Sequence, residues 1–261
     1  MKLPIFQVDA FTDKVFGGNP AAVCPLEQWL PDDVMQRIAM ENFVAETAFF
    51  IQLDKGFEIR WFTPEIEMDW CGHATLATAH VIARHLNFSR PFIQFRSKSG
   101  ELTVAVEEKL LTLNFPSRKP EPREAPQVIL DALQHKPVEI LKSRDYMLVF
   151  EDEEVIRHLE PDQSLLNQIN LDPGGVIVTA KGEGVDFVSR FFTPQASIFE
   201  DPVTGSAHCS LIPYWSEKLG KDSMVALQLS SRVGKLFCKD VGERVLISGE
   251  AITYLEGHII I

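Results

Sequence analysis

The sequence predicts an α/β protein built as two similar halves, on three observations. Strand-like and helix-like segments alternate along the chain, one strand, loop and helix pattern occurs twice, and both copies open their helix on a glycine. Arg60-Trp61-Phe62-Thr63-Pro64 recurs as Arg190-Phe191-Phe192-Thr193-Pro194. Gly72 follows the first arginine by twelve residues and Gly205 follows the second by fifteen, each at the start of a Gly-x-Ala stretch. Two copies imply two halves related by a pseudo-twofold axis.

The elements follow in order. Pro4 to Phe11 alternates as a strand does, Gly17-Gly18-Asn19-Pro20 is turn chemistry, and Ala21-Ala22-Val23 reads as a second strand. Pro31-Asp32-Asp33 starts a helix with acidic residues in its first turn, carrying Val34, Met35, Ile38 and Ala39 on one face and ending near Asn42. Val44 to Gln52 is an apolar, β-prone run interrupted by one carboxylate, Glu46, and Lys55 to Thr63 is another strand. From Gly72 to Arg84 small or apolar residues lie on every side, as in a buried helix. Strands follow near 92–96, 102–106 and 110–115. The Pro-rich and charged stretch 117–124 reads as an extended linker between domains at 1–116 and 125–250. The second repeat predicts a helix from Gly205 to a C-cap at Gly220.

Composition narrows the function. A chain of 261 residues, 45% hydrophobic and 24% charged, can bury a sizeable core. A formal charge of −12 opposes non-specific attraction to nucleic acid or anionic lipid, although a local pocket can still hold a small anion. No apolar run has signal-peptide or membrane-span length, so a cytoplasmic location without membrane association is expected. Cys24, Cys71, Cys209 and Cys238 are scattered without CxxC spacing, and reduced thiols with no structural zinc are expected.

Glycine-opened helices aim backbone N–H groups outward from their first turn, and such ends bind anions. Two of them facing a cleft between the halves would clamp a small carboxylate. Asn19-Pro20, Ala45-Glu46-Thr47-Ala48-Phe49, Arg60-x-Phe62-Thr63-Pro64, Cys71-Gly72-His73-Ala74-Thr75 and Asp201-Pro202-x-Thr204-Gly205-Ser206-Ala207 follow one another along the chain. In that order they resemble the PhzF-type, phenazine biosynthesis-like isomerases, a branch of the diaminopimelate epimerase fold. The resemblance runs from about residue 5 to Gly257.

What it implies is two domains, each a strongly curved, mostly antiparallel sheet round a central buried helix, with a C-terminal strand at about 251–261 crossing back to the first. It implies cofactor-independent isomerisation by proton transfer on a small carboxylate-bearing substrate, and a homodimer. By motif, Glu46 is the general acid/base and His73, Asp201 and Ser206 support it. Asn19, Gly72, Thr204, Gly205, Arg232 and Gly234 bind substrate, and no metal is involved. Arg232-Val233-Gly234 departs from the family pattern, in which a second small residue or a proline commonly stands beside the glycine.

Plainer roles exist for each residue. Glu46 could satisfy a backbone group or an arginine, yet a carboxylate amid Phe43, Val44, Phe49 and Phe50 is costly to bury without a task. His73 and Ser206 could cap helices, and Asp201 before Pro202 is a common turn. His80 and His208 read as structural. Other chemistries fit less well. The epimerases of this fold use two opposed thiols, whereas aligning Gly72 with Gly205 puts Thr204 opposite Cys71, and a Thr hydroxyl is far too weak an acid, which leaves as the alternative an amino-acid racemase or epimerase using Cys71 with some other base. A Ser206-His73-Asp201 hydrolase lacks the Gly-x-Ser-x-Gly elbow. Zinc on Cys71, His73 and His80 lacks a fourth ligand, and a small-acid-binding protein without turnover would not need to keep Glu46.

Overall fold

In the computed structural model, which describes residues 1–171, 174–194 and 196–261, the apolar alternations become strands and the two glycine-opened stretches become long buried helices. The chain runs β1 (Lys2–Ala10), β2 (Asn19–Leu26), α1 (Asp32–Asn42), β3 (Glu46–Gln52), β4 (Phe57–Phe62) and β5 (Glu67–Met68). Then come α2 (Gly72–His85), β6 (Phe92–Ser97), β7 (Gly100–Glu107) and β8 (Leu110–Pro116). Next are β9 (Glu121–Pro122), α3 (Gln127–Leu133), β10 (Glu139–Lys142), β11 (Tyr146–Val149), α4 (Glu153–His158) and α5 (Gln163–Leu166). The remainder is β12 (Val176–Lys181), β13 (Phe187–Phe192), α6 (Gly205–Leu219), β14 (Ser223–Gln228), β15 (Gly234–Asp240), β16 (Arg244–Gly249) and β17 (Ala251–Ile260). Two compact units result, Met1–Asn114 with Ile247–Ile261, and Phe115–Leu246.

In the first unit β1 pairs antiparallel with both β2 and β17. From β2 the pairing alternates: parallel to β3, antiparallel to β4, parallel to β6, antiparallel to β7 and then β8. This curved sheet wraps α2, which packs against β1, β2, β3, β7 and β17. Every residue from Gly72 to Ala79 is buried. Glycine, alanine and threonine side chains are small enough for strands to close round the helix. The threonine hydroxyls are satisfied inside it, Thr75 donating to the Cys71 carbonyl at 2.5 Å and Thr78 to that of Ala74 at 2.7 Å. On the outer side of the sheet Met35 and Ile38 of α1 join Leu3, Cys24, Phe49 and Phe62 in a second apolar layer.

The second unit repeats the alternation. Strand β10 pairs antiparallel with β11, β11 parallel with β12, β12 antiparallel with β13, β13 parallel with β14, and β14 antiparallel with β15. Helix α6 follows β13 as α2 follows β4 and β5, is buried from Gly205 to Trp215, and ends at Gly220 in the left-handed conformation (φ 67°). The repeated arginines do the same work in each unit. Arg60 grips Glu67 with two hydrogen bonds (2.7 and 2.9 Å) and lies over Phe62, and Arg190 grips Glu200 (2.7 and 3.0 Å) and lies over Phe192. Thr63 and Thr193 turn the chain after each strand, their N–H groups bonding the Ile66 and Phe199 carbonyls.

Three expectations change. The stretch 117–124 is not a free linker: β9 pairs with β10, and the Arg118 N–H donates to the Cys209 carbonyl at 2.9 Å. Pro213, four residues further along α6, has no N–H to give that carbonyl, so the acceptor is open to the incoming chain. The return to the first unit begins at Ile247 rather than 251, and β17 then runs antiparallel along β1 from Ala251 opposite Ala10 to Ile260 opposite Lys2, with the register shifting by one residue between Val8 and Gln7. Strand β2 also starts earlier than its turn residues suggest, at Asn19. Gly18 adopts φ 58° and passes so close to the Ala10 carbonyl that a Cβ would stand 2.0 Å from its oxygen, which only glycine allows.

Candidate active site

Strands β2 and β3 run parallel with Ala21 opposite Glu46, so Asn19 and Glu46 lie at the same end of the sheet. Helix α2 packs across both strands and begins at that end, bringing Cys71 and His73 to the same place. The Glu46 Oε2 atom lies 3.0 Å from His73 Nε2, with 15% and 5% of the two side chains exposed. The contact is close but poorly aligned, and both atoms lack a well-formed hydrogen bond. On the other edge of the ring, Nδ1 meets the Asn19 amide nitrogen at 3.2 Å and Cys71 Sγ at 3.6 Å. An Asn19 amide that donates to Nδ1 places the proton of the neutral ring on Nε2, toward Glu46.

Burial disfavours a charged His73 ring, but its contacts with Cys71 and Glu46 outweigh that and hold its pKa well above the usual histidine value. Burial pushes the Cys71 thiol up, and Glu46 adds to that, so at neutral pH the sulfur keeps its proton. Glu46 owes its setting to less than the full aromatic cluster expected: Phe49 and Phe50 are buried, whereas Phe43 caps α1 with φ 48° and is 72% exposed.

The other expected residues belong to the second unit. Thr204 stands before α6 as Cys71 stands before α2, and Ser206 takes the place of His73. The registers Thr47 opposite Phe62 and Val176 opposite Phe192 make Gly175 the counterpart of Glu46, so the acidic group exists in one copy of the repeat only. The Thr204 hydroxyl donates to Asp201 Oδ2 at 2.5 Å, and its N–H donates to the Gln228 side chain at 2.8 Å. Gln228 also donates to the Asp201 carbonyl at 2.8 Å. Asp201 and Thr204 therefore share a braced loop, and the hydroxyl of Thr204, expected to bind substrate, is committed to Asp201. Neither Cys71 nor Thr204 caps its helix with a side-chain hydrogen bond, which leaves the first N–H groups after Gly72 and Gly205 without that partner.

Gly234 opens β15 opposite Gln228, and a Cβ there would meet Val203 Cγ2 at 2.2 Å, so packing accounts for this glycine. Arg232, partly buried, lies in the turn before it, its N–H donating to Ser230 Oγ at 3.3 Å. His80 and His208 are held structurally. His80 meets Thr253 Oγ1 at 3.0 Å, while the fully buried His208 bonds the Thr204 carbonyl at 2.8 Å.

Sequence reasoning missed two residues. Gln228 sits in a strand with no local sign of its reach to position 204. Asp145 is buried, accepts from the Gly175 N–H at 2.9 Å, and is pushed up by burial; its signal was a charged residue directly before the apolar run of β11.

Residues 8–257 match the family described as phenazine biosynthesis-like protein. Two uncharacterised isomerases of Pseudomonas aeruginosa are 50% identical over 259 residues and 47% over 260, each covering 99% of both chains. The crystal structure of a PhzF-family protein from Enterococcus faecalis superposes with a TM-score of 0.96 at 45% identity, over 100% of both chains. A hydroxyproline epimerase from Agrobacterium vitis shares the fold alone, with a TM-score of 0.60 at 9% identity, over 99% of this chain and 92% of that one. Duplicated pairing, a buried helix in each sheet and full-length likeness to these relatives agree: the chain is an isomerase of the phenazine biosynthesis-like, PhzF-type family.

Proposed function

We propose that the isomerisation is a proton transfer between carbons of a small carboxylate-bearing substrate, with Glu46 as the group that takes and returns the proton. The observation that carries this reading is the Glu46–His73 contact at 3.0 Å, buried yet with hydrogen-bonding capacity unspent on both atoms. A carboxylate at a carbon acid must accept a proton in one step and donate it in the next. His73 beside it, whose pKa is held well above the usual histidine value, can supply a proton to an oxygen of the substrate as negative charge develops.

The N–H groups at the start of α2, the helix that carries His73, suit a substrate carboxylate, since the helix does not spend them on a side-chain cap. Asp201 and Ser206 enter the proposal by family motif, with Asp201 placed by Thr204 and Gln228. A two-thiol racemase finds less support, because Cys71 is held protonated and its counterpart is Thr204.

The experiment is a screen of small enolisable or unsaturated carboxylic acids in D2O, followed by NMR. Deuterium entering a carbon of one acid as its double bond or carbonyl moves supports proton transfer, and Asp201→Asn and Ser206→Ala should each slow it. Inversion of a single stereocentre that survives Glu46→Gln but not Cys71→Ser would count against it.

A further inference from the structure

Gln228, Thr204 and Asp201 are tied by four hydrogen bonds whose donors and acceptors fit together in one way only. We propose that Gln228, which belongs to none of the sequence motifs, is a positioning residue for the reaction: acting through the Thr204 hydroxyl, it holds Asp201 as an oriented carboxylate. The Thr204 N–H donates to Gln228 Oε1 at 2.8 Å, while Gln228 Nε2 donates to the Asp201 carbonyl at 2.8 Å and to Thr204 Oγ1 at 3.1 Å. Turning the amide over would set N–H against N–H and oxygen against oxygen, so the backbone fixes which end is which. A hydroxyl has one proton. With Oγ1 already accepting from Gln228, that proton goes to Asp201 Oδ2 at 2.5 Å, a length typical of an O–H group donating to a charged oxygen. The reverse arrangement, a protonated Asp201 donating to Oγ1, leaves the Thr204 proton opposed by the Gln228 N–H. The chain therefore runs from Gln228 through Thr204 to Asp201 and is complete only with Asp201 ionised.

Placement points the same way. Gln228 is fully buried at the end of β14, opposite Ser189 on one side and Gly234 on the other. Thr204 is buried as well, whereas Asp201 is only partly so. The fixed end of the chain thus lies inside the sheet and its working end reaches outward, with Oδ2 committed to Thr204 and the further work of the carboxylate directed to Oδ1. The fold does not require such a chain to start a buried helix. In the first unit Cys71 stands where Thr204 does, and its sulfur meets His73 Nδ1 at 3.6 Å instead. The inference rests on the part that the family motif gives Asp201 in the proposed proton transfer.

The test is a 13C NMR titration of the aspartate carboxyls in the full-length protein, with Asp201 assigned from Asp201→Asn and every variant checked for native circular dichroism. Thr204→Val removes the hydroxyl and should raise the Asp201 midpoint by about 0.5–1 pH unit, whereas Thr204→Ser keeps the hydroxyl and should titrate as the wild type does. Gln228→Glu offers the hydroxyl a competing acceptor and should raise the midpoint too. Its added charge acts in any background, so in the Thr204→Val protein, with no hydroxyl left to turn, the same change should shift the midpoint less. The charged groups of the flanking segments, Arg190 and Glu200 on one side and Arg232 and Lys235 on the other, are the same in all these variants. Equal midpoints in wild type and Thr204→Val, or an equal shift from Gln228→Glu in both backgrounds, overturn the chain. Once a substrate is found, Thr204→Val and Gln228→Glu should each lower kcat by about 10-fold or more, and Thr204→Ser should keep most of it. A slow Asp201→Asn with wild-type kcat in Thr204→Val and Gln228→Glu overturns the positioning role alone. A wild-type rate in Asp201→Asn itself overturns the part given to Asp201, and the role of Gln228 with it.

Discussion

Gly234 and Val203 are packed so closely that a Cβ at position 234 would lie 2.2 Å from Val203 Cγ2. Val203 belongs to the segment braced by Asp201, Thr204 and Gln228, so this contact sets the entry into α6. Gly234→Ala should destabilise the protein by about 1–3 kcal/mol, the usual cost of overpacking. Urea unfolding checks this. Adding Val203→Ala should recover part of the loss, since it removes the methyl groups in the way; a double variant no better than the sum of its parts would separate the two positions.

Arg60 binds both oxygens of Glu67, and Asp32 Oδ1 lies 2.9 Å from its third nitrogen. A lysine ammonium cannot make that planar two-pronged contact. Arg60→Lys is expected to cost about 1–3 kcal/mol, the scale of hydrogen bonds to charged groups in a partly buried pair. Arg190→Lys should cost as much or more, because Arg190 also donates to the Ile156 and Leu159 carbonyls. Thermal unfolding of the two variants tests both statements.

Acid should destabilise the fold through the buried histidines. Burial lowers His208 and His80 to about 4, against 6.5 for a free ring. Between those values the unfolded chain binds more protons than the folded one, so stability falls as pH drops from 6.5 toward 4. One such ring contributes a slope of up to about 1.4 kcal/mol per pH unit. His73 is raised, so its contribution is complete below the unfolded value and is lost as pH climbs through the folded one; it does not offset the acid loss. Denaturant midpoints between pH 7 and 5 should decline, and His208→Gln should flatten that decline.

The repeat was legible because two Arg-x-Phe-Thr-Pro segments perform one local task, a strand end turned by threonine and pinned by arginine to a glutamate. The buried helices were legible because their small residues leave no polar face. The second unit between residues 125 and 190 was harder to read, as α3, α4 and α5 are each too short to show a helical period and β10 and β11 span only four residues apiece. Glu46, His73 and Asn19 were each singled out, but that they meet depends on parallel pairing of β2 with β3, which no local pattern encodes. Gln228 and the bond from Arg118 to Cys209 escaped for the same reason. Both are long-range contacts whose cause lies in another element.

The central claim is that a carboxyl group, and not a thiol, carries the proton. Glu46→Gln keeps the shape of the side chain and removes its titrating proton. Cys71→Ser keeps a donor beside His73 and removes the thiol. With a substrate from the acid screen, the decisive measurement is the rate of deuterium incorporation by the two variants in D2O. The account predicts a fall of about 10² or more for Glu46→Gln with substrate affinity largely kept, and a far smaller fall for Cys71→Ser. A wild-type rate in Glu46→Gln together with an inactive Cys71→Ser would contradict it.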